Sequence, residues 1–268
     1  LFPYTTLFRS VDLVVFWTKN PAPMMRRIGE LGEIPYYIQF TLTGYGRDIE
    51  PGLPDKHELI SIFRETAETA GRAHMVWRYD PVLFNERYPA EYHFRAFEAI
   101  AEGICGCTDK VVISFLDCYG KTKRNMRGIP LELPDEETMK RTGERFVKTA
   151  EKYGMTVESY AETVDLSEVG VRHGSCVDPA MIERILGVPV RVKKDKNQRP
   201  ECGCVESVET GAYDTCLCGC KYCYANDSEG AVMRRREEYD VDSPLLCGRV
   251  EEGDRITVRR TSRILTGE

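Results

Sequence analysis

The chain has 268 residues, 42% of them hydrophobic and 30% charged, with a net charge of −6. That length suits one large α/β domain or two small ones, and that balance excludes a wholly disordered chain. No run approaches the roughly 20 apolar residues of a membrane helix, and a mildly acidic chain is not a general polyanion binder.

In chain order, residues 1–10 (Leu1-Phe2-Pro3-Tyr4-Thr5-Thr6-Leu7-Phe8-Arg9-Ser10) come first. They resemble the in-frame translation of a sequencing adapter and are expected to be an artefact, with a native N-terminal element missing. From Val11 the pattern alternates. Residues 11–17 form an apolar run that predicts a buried parallel strand, and Pro21 opens a short helix over 24–31. Residues 35–42 predict a second strand, followed by a Gly- and Pro-rich loop over 44–54. Asp55 is placed to cap a helix running to residue 70, with Gly71 ending it. Residues 73–79 predict strand three and 89–103 a helix; 110–116 predict strand four. A long loop over 117–134 leads to a helix over 135–153, closed by Gly154. Residues 155–160 predict strand five, and 179–186 a last helix ended by Gly187.

This alternation argues for a parallel α/β sheet, and specifically for a partial or complete (β/α) TIM-like barrel over residues 11–190. A doubly wound sheet is the alternative, but no glycine-rich phosphate loop follows a strand. In a barrel the chemistry sits at the carboxyl ends of the strands. Those ends are polar: Lys19 and Asn20 after strand one; Gln39, Thr41 and Thr43 along strand two; Arg78 and Asp80 on strand three; Ser114, Asp117, Cys118 and Tyr119 at strand four; Glu162 after strand five. Lys19, Gln39, Arg78, Asp80 and Glu162 are the candidates to line a pocket and orient a ligand. His57, His74, His93 and His173 show no metal-ligand spacing and read as core or surface.

Residues 191–268 have a different character. A basic stretch (Arg191, Lys193, Lys194, Lys196, Arg199) precedes Cys202-Gly203-Cys204, and after eleven residues comes Cys216-Leu217-Cys218-Gly219-Cys220-Lys221-Tyr222-Cys223-Tyr224-Ala225-Asn226. Six of the eleven cysteines fall within residues 202–223, and thiolates bind soft metals. A [4Fe–4S] cluster, structural zinc on Cys202, Cys204, Cys220 and Cys223, and disulfides are the three readings. The odd count and the tight Cys-x-Cys pair argue against disulfides. Cys202 and Cys204 could complete one cluster, join Cys176 in a second, or be structural. Cys218 reads as a free thiol, Cys105 and Cys107 as bystanders, and Cys118 as a stray at the functional end of the strands.

Cys216-x3-Cys220-x2-Cys223, with Tyr222 before the last cysteine, resembles the CxxxCxxC motif of radical S-adenosylmethionine enzymes, and Tyr224-Ala225-Asn226 resembles the tail seen in part of that superfamily. The resemblance implies three thiolates on a [4Fe–4S] cluster, with the open iron taking S-adenosylmethionine, which is cleaved to a 5′-deoxyadenosyl radical. Tyr222, Tyr224 and Asn226 are then the cofactor-side residues, and a flavodoxin- or ferredoxin-like reductant is the implied partner. Here the motif follows the fifth predicted strand rather than the first, so the segment must fold back over the barrel mouth or the strand order is rearranged. No Gly-Gly-Glu is present.

From Val11 onward the chain also resembles an uncharacterised bacterial family, the domain-of-unknown-function family 1848. The blocks that carry this are Val15-Phe16-Trp17-Thr18-Lys19-Asn20-Pro21, Gln39-Phe40-Thr41-Leu42-Thr43-Gly44-Tyr45, Trp77-Arg78-Tyr79-Asp80-Pro81, Val112-Ile113-Ser114-Phe115 and the stretch from Lys193 to Asn226. The resemblance implies a C-terminal iron–sulfur-type cysteine cluster and no particular activity. The expectation is a cytoplasmic radical S-adenosylmethionine-like protein. An electron-transfer or redox-sensing [4Fe–4S] protein and a zinc-stabilised barrel protein are the alternatives.

Overall fold

The computed structural model describes residues 11–117, 120–240, 243, 245–257 and 264. Residues 1–10 and the stray Cys118, with Tyr119, lie outside the described residues.

Six strands form one parallel sheet: β1 (Val14–Thr18), β2 (Tyr36–Thr41), β3 (Met75–Val82), β4 (Lys110–Phe115), β5 (Thr156–Ser159) and β6 (Arg172–His173). They lie in chain order, β1-β2-β3-β4-β5-β6. The order never reverses, so the described strands form no switch-point crevice of the doubly wound kind. β1 pairs only with β2, and β6 only with β5, so the sheet is open among the described residues and barrel closure is not found there. The coarse expectation, a parallel α/β sheet, is the architecture.

The connecting helices are α1 (Ala22–Met25), α2 (Lys56–Ala70), α3 (Ala90–Gly103), α4 (Gly120–Asn125), α5 (Glu136–Lys152) and α6 (Pro179–Leu186), followed by α7 (Glu229–Glu237). Their ends follow from local chemistry. Asp55 accepts from the Glu58 N–H, Asp135 from the Thr138 N–H and Asp178 from the Ala180 N–H, each satisfying a donor that the first helical turn leaves orphaned. The expected helix over 24–31 divides instead into α1 and a 3-10 turn, Ile28–Leu31, where Gly29 and Gly32 weaken the helix. α4 lies inside the expected loop. β6, two residues long, leaves no period to read. None of the described helices is long and apolar enough to cross a membrane.

The period of two along the strands separates two chemistries. Ile38, Phe40, Met75, Trp77, Val111, Ile113 and Val157 face one way and make the main core with Leu59, Phe63, Phe97 and Phe146 from α2, α3 and α5. Tyr37, Val76, Val112 and Tyr160 pack on the opposite face with Met181 of α6. That second face carries Gln39, Arg78, Asp80 and Ser114 towards the strand ends. The β3–β4 register shifts between Tyr79 and Val82, the kind of irregularity that re-aims side chains beside functional sites.

Candidate metal centre and strand-end site

The cysteine segment folds back onto the carboxyl ends of β1 and β2. The Gly52 N–H donates to the Cys218 carbonyl at 3.0 Å, and the Lys221 N–H donates to the Ile49 carbonyl at 2.9 Å. Gly52 must be glycine for this approach, since a Cβ there would sit 2.7 Å from the Leu217 carbonyl oxygen and 2.8 Å from that of Cys218. Between these two backbone contacts lies Glu50, 2% exposed. Its carboxylate accepts from Lys19 Nζ at 2.9 Å, Lys56 Nζ at 2.5 Å, Thr43 Oγ1 at 2.8 Å and the Tyr222 hydroxyl. Burial alone would raise the Glu50 carboxyl. The charges of Lys19 and Lys56 and its hydrogen bonds outweigh burial and bring it down to about 2. Tyr222, the aromatic inside the motif, is thus tied to the sheet, with Lys19 5.1 Å from its ring centroid.

The four thiols of this loop share one electrostatic neighbourhood. Cys220 is buried, which pushes its thiol up to about 12, and it lies in the fields of Lys19, Glu50, Cys216 and Cys223. Cys218, helped by Lys19, brings the neighbouring Cys216 thiol down to about 6. Cys218, expected as a free thiol, is one, and it lies beside the motif's first cysteine. Asn125 of α4 donates from Nδ2 to the Cys223 and Asn226 carbonyls, both at 3.1 Å. Asn226 Nδ2 in turn donates to the Cys216 carbonyl at 2.7 Å, closing the loop on itself. Lys121 and Arg124 of α4 pair with Asp227 at 3.1 and 2.8 Å, so this short basic helix clamps the motif's tail.

No three His, Cys, Asp or Glu side chains among the described residues stand in place around a metal-ion position. The donor set nonetheless suits an iron–sulfur group, because the soft sulfurs of Cys216, Cys218 and Cys220 lie in the field of the Lys19 ammonium. Asn226 Oδ1 is buried without a partner among the described residues, an acceptor that a bound group could satisfy. The described cysteines are free thiols.

The strand-end residues assemble beside this loop. Arg78 donates to both Asp80 and Gln39, at 2.9 Å to Gln39 Oε1, and its guanidinium lies 5.4 Å from the Tyr160 ring centroid. Ser114 donates to Asp80. Burial works against the Asp80 carboxylate, but the Arg78 charge and the Ser114 bond hold its pKa below the usual range. Lys19 acts on Asp80 as well as on Cys220, linking the two groups. Glu162 accepts the Phe115 N–H at 2.7 Å. Burial, with Asp117 and Asp80 nearby, pushes its carboxyl up to about 7 despite that bond. Tyr224 is exposed and lies within the fields of both Cys223 and Arg78.

Cys202 and Cys204 meet Cys176 instead. The Cys202 and Cys204 sulfurs are 3.0 Å apart, and Cys176 packs against the cluster that holds them. This group packs with Val177, Ile182 and Val205, whereas Cys218, Cys220, Tyr222 and Cys223 pack with Tyr45, Ile49, Leu83 and Tyr88. The Cys176 carbonyl accepts from Gln39 and, at 3.0 Å, from the Tyr37 hydroxyl, which sets it against the strand-end cluster. His93 is a core residue between Tyr79 and the Leu83 carbonyl, and burial brings its pKa down to about 4. Glu50 is the residue that sequence reasoning missed. A glutamate in a Gly- and Pro-rich loop carries the signature of a solvated charge, and only its distant partners reveal otherwise.

The profile of a family described as "Domain of unknown function (DUF1848)" matches residues 4–225. No curated protein matches the chain. Among solved structures, one described as a "putative alpha-L-fucosidase" from Bacteroides thetaiotaomicron VPI-5482 is similar at 13% identity, over 59% of this chain and 68% of that one, with a TM-score of 0.30. A likeness that weak says nothing of fold or activity here.

Proposed function

Since the chain belongs to the DUF1848 family, whose description names no activity, we propose from the site itself that this is a radical S-adenosylmethionine-like iron–sulfur protein. Cys216, Cys220 and Cys223 would hold a [4Fe–4S] cluster above the strand ends. The observation that carries this reading is the docking of the CxxxCxxC loop, through Tyr222 and Glu50, against Lys19 and beside the Arg78–Asp80 cluster. The sequential strand order supports reading the sheet as the wall of an incomplete barrel, with the site at its carboxyl end.

When bound, the cluster would supply one electron for reductive cleavage of S-adenosylmethionine to methionine and a 5′-deoxyadenosyl radical. The chain's own residues do the rest. Lys19 offsets the negative charge of the thiolates. Glu50, through Tyr222, fixes the loop's height above the sheet. Asn226, three residues after Cys223, offers a side-chain carbonyl oxygen that is unpartnered among the described residues, and Tyr224 an exposed ring. Arg78, held by Asp80 and Gln39, is positioned to orient a carboxylate. Glu162, titrating near neutral pH, can take or give a proton at its carboxyl. A flavodoxin- or ferredoxin-like protein is the proposed reductant.

The test is anaerobic purification with iron and sulfide analysis, then electron paramagnetic resonance of the reduced protein with and without S-adenosylmethionine. About four irons per chain, a spectrum altered by the cofactor, and 5′-deoxyadenosine as product are expected. Iron with an unaltered spectrum would replace this reading with electron transfer or redox sensing on a fully ligated cluster. Cys218, a fourth thiol in the fields of Cys216 and Cys220, is the specific observation favouring that alternative.

A further inference from the structure

We infer that Cys176, Cys202 and Cys204 form a second thiolate site, separate from the CxxxCxxC loop, that takes a single divalent soft metal ion of the zinc class. The inference stands on its own geometry and not on the reading of the first loop.

Cys176 is distant in sequence from the Cys202–Cys204 pair, and a built scaffold brings it to them. Residues 193–206 turn back on themselves: Lys194 and Val205 form an antiparallel bridge, the Glu206 N–H donates to the Lys193 carbonyl at 2.8 Å, and the Asp195 N–H donates to the Cys204 carbonyl at 2.9 Å. This turn is laid on the chain before α6, where the Val205 N–H donates to the Val177 carbonyl at 3.1 Å. The approach is close enough that a Cβ on Gly203 would fall 2.3 Å from Ser175 Oγ.

The three cysteines pack as one group. The Cys202 thiol donates to Cys204 at 3.0 Å, and Cys176 lies against the same apolar cluster. The Val177 N–H points at Cys204 Sγ, 3.3 Å away. Hydrogen bonds to the ligating sulfurs are among the outer contacts that orient and tune metal-bound thiolates. Cys202 and Cys204 are 5% and 4% exposed, among Val177, Ile182 and Val205, so they are not placed as reactive surface thiols. A disulfide would use two of the three and strand the third.

Spacing decides between one ion and a cluster. Two thiolates on one tetrahedral ion, each about 2.3 Å from it, sit roughly 3.8 Å apart. The Cys202–Cys204 pair, hydrogen-bonded at 3.0 Å, need open by less than about 1 Å to reach that geometry. A cluster places each thiolate on a different iron and spreads them further. Charge is also favourable: three thiolates on a divalent ion leave one negative charge, and Arg78 acts on Cys176 from the sheet. Three protein ligands leave the fourth position to water or to a ligand, the arrangement of reactive rather than purely structural zinc sites.

The experiment uses cobalt(II) as a spectroscopic stand-in for zinc. Full-length protein carrying Cys216→Ala, Cys220→Ala and Cys223→Ala is stripped of metal under reducing conditions and titrated. Thiolate-to-cobalt charge-transfer bands should saturate at one equivalent, show intense tetrahedral d–d absorption, and disappear on adding zinc or on further substituting Cys204→Ser. No such bands, bands indifferent to Cys204→Ser, or a disulfide among the three cysteines by mass spectrometry would overturn the inference. Should the triple variant fail to fold, Cys202→Ala/Cys204→Ala is compared with the unsubstituted chain. Loss of one bound divalent ion with iron unchanged supports the second site; unchanged divalent metal overturns it. Iron content and the response to S-adenosylmethionine report only on the first loop, so the two readings fail separately.

Discussion

The two cysteine groups are held by different balances of side-chain and backbone contacts. The CxxxCxxC loop is anchored by buried side-chain charge: Tyr222, Lys19, Lys56 and Thr43 all converge on Glu50. The Cys176–Cys202–Cys204 group is held chiefly by backbone, through the turn over 193–206 and its contact with Val177. Beyond its backbone bonds to Gly52 and Ile49, the loop's position depends on one carboxylate. Backbone anchoring fixes sulfur positions and suits a small ion of defined geometry. Both groups flank Arg78 and Asp80, which interact with Cys176 on one side and with Lys19 on the other.

The largest effect should come from breaking the anchor. Glu50→Ala leaves two half-buried ammonium groups and the buried Tyr222 hydroxyl without their acceptor, a loss of about 3 kcal/mol. Chemical denaturation should show it directly. If the two groups really differ in their anchoring, iron bound by the first loop should fall while metal at Cys176, Cys202 and Cys204 is retained.

Acid tests the same anchor reversibly. The Glu50 carboxyl sits near 2 when folded, below its ordinary value of 4.5. A lowered carboxylate stabilises above its unfolded pKa, and that contribution is lost as pH falls from about 4.5 through 2, about 3 kcal/mol in all. Glu162 has the opposite sign. Its raised carboxyl makes the fold lose stability as pH rises from 4.5 to about 7. Urea midpoints measured across pH should therefore lose their acid limb in Glu50→Gln and their limb near neutral pH in Glu162→Gln.

The smallest effect sharpens the contrast between the two glycines. Gly52→Ala pushes a methyl group against two backbone carbonyl oxygens, which cannot yield without moving the cysteine loop. It should cost about 1–3 kcal/mol and lower iron content. Gly203→Ala meets the Ser175 hydroxyl, whose χ1 can turn aside, so its cost should be smaller. Equal destabilisation by the two substitutions would remove the distinction drawn here.

The sequence by itself determined the alternation of strands and helices, the capping by Asp55, Asp135 and Asp178, and the stops at Gly71 and Gly187. These are local facts: a side-chain period, an orphaned N–H, a backbone angle that favours glycine. It also marked the strand-end residues and the CxxxCxxC spacing, because residues close in sequence are constrained to be close in space. The tertiary structure alone decided that Cys176 meets Cys202 and Cys204, that Glu50 is buried against Lys19 and Tyr222, and that the motif returns to β1 and β2 rather than to the strand preceding it. Those are contacts between residues tens to hundreds of positions apart. Their formation depends on how the sheet and its loops pack, and a local pattern carries no record of a distant partner.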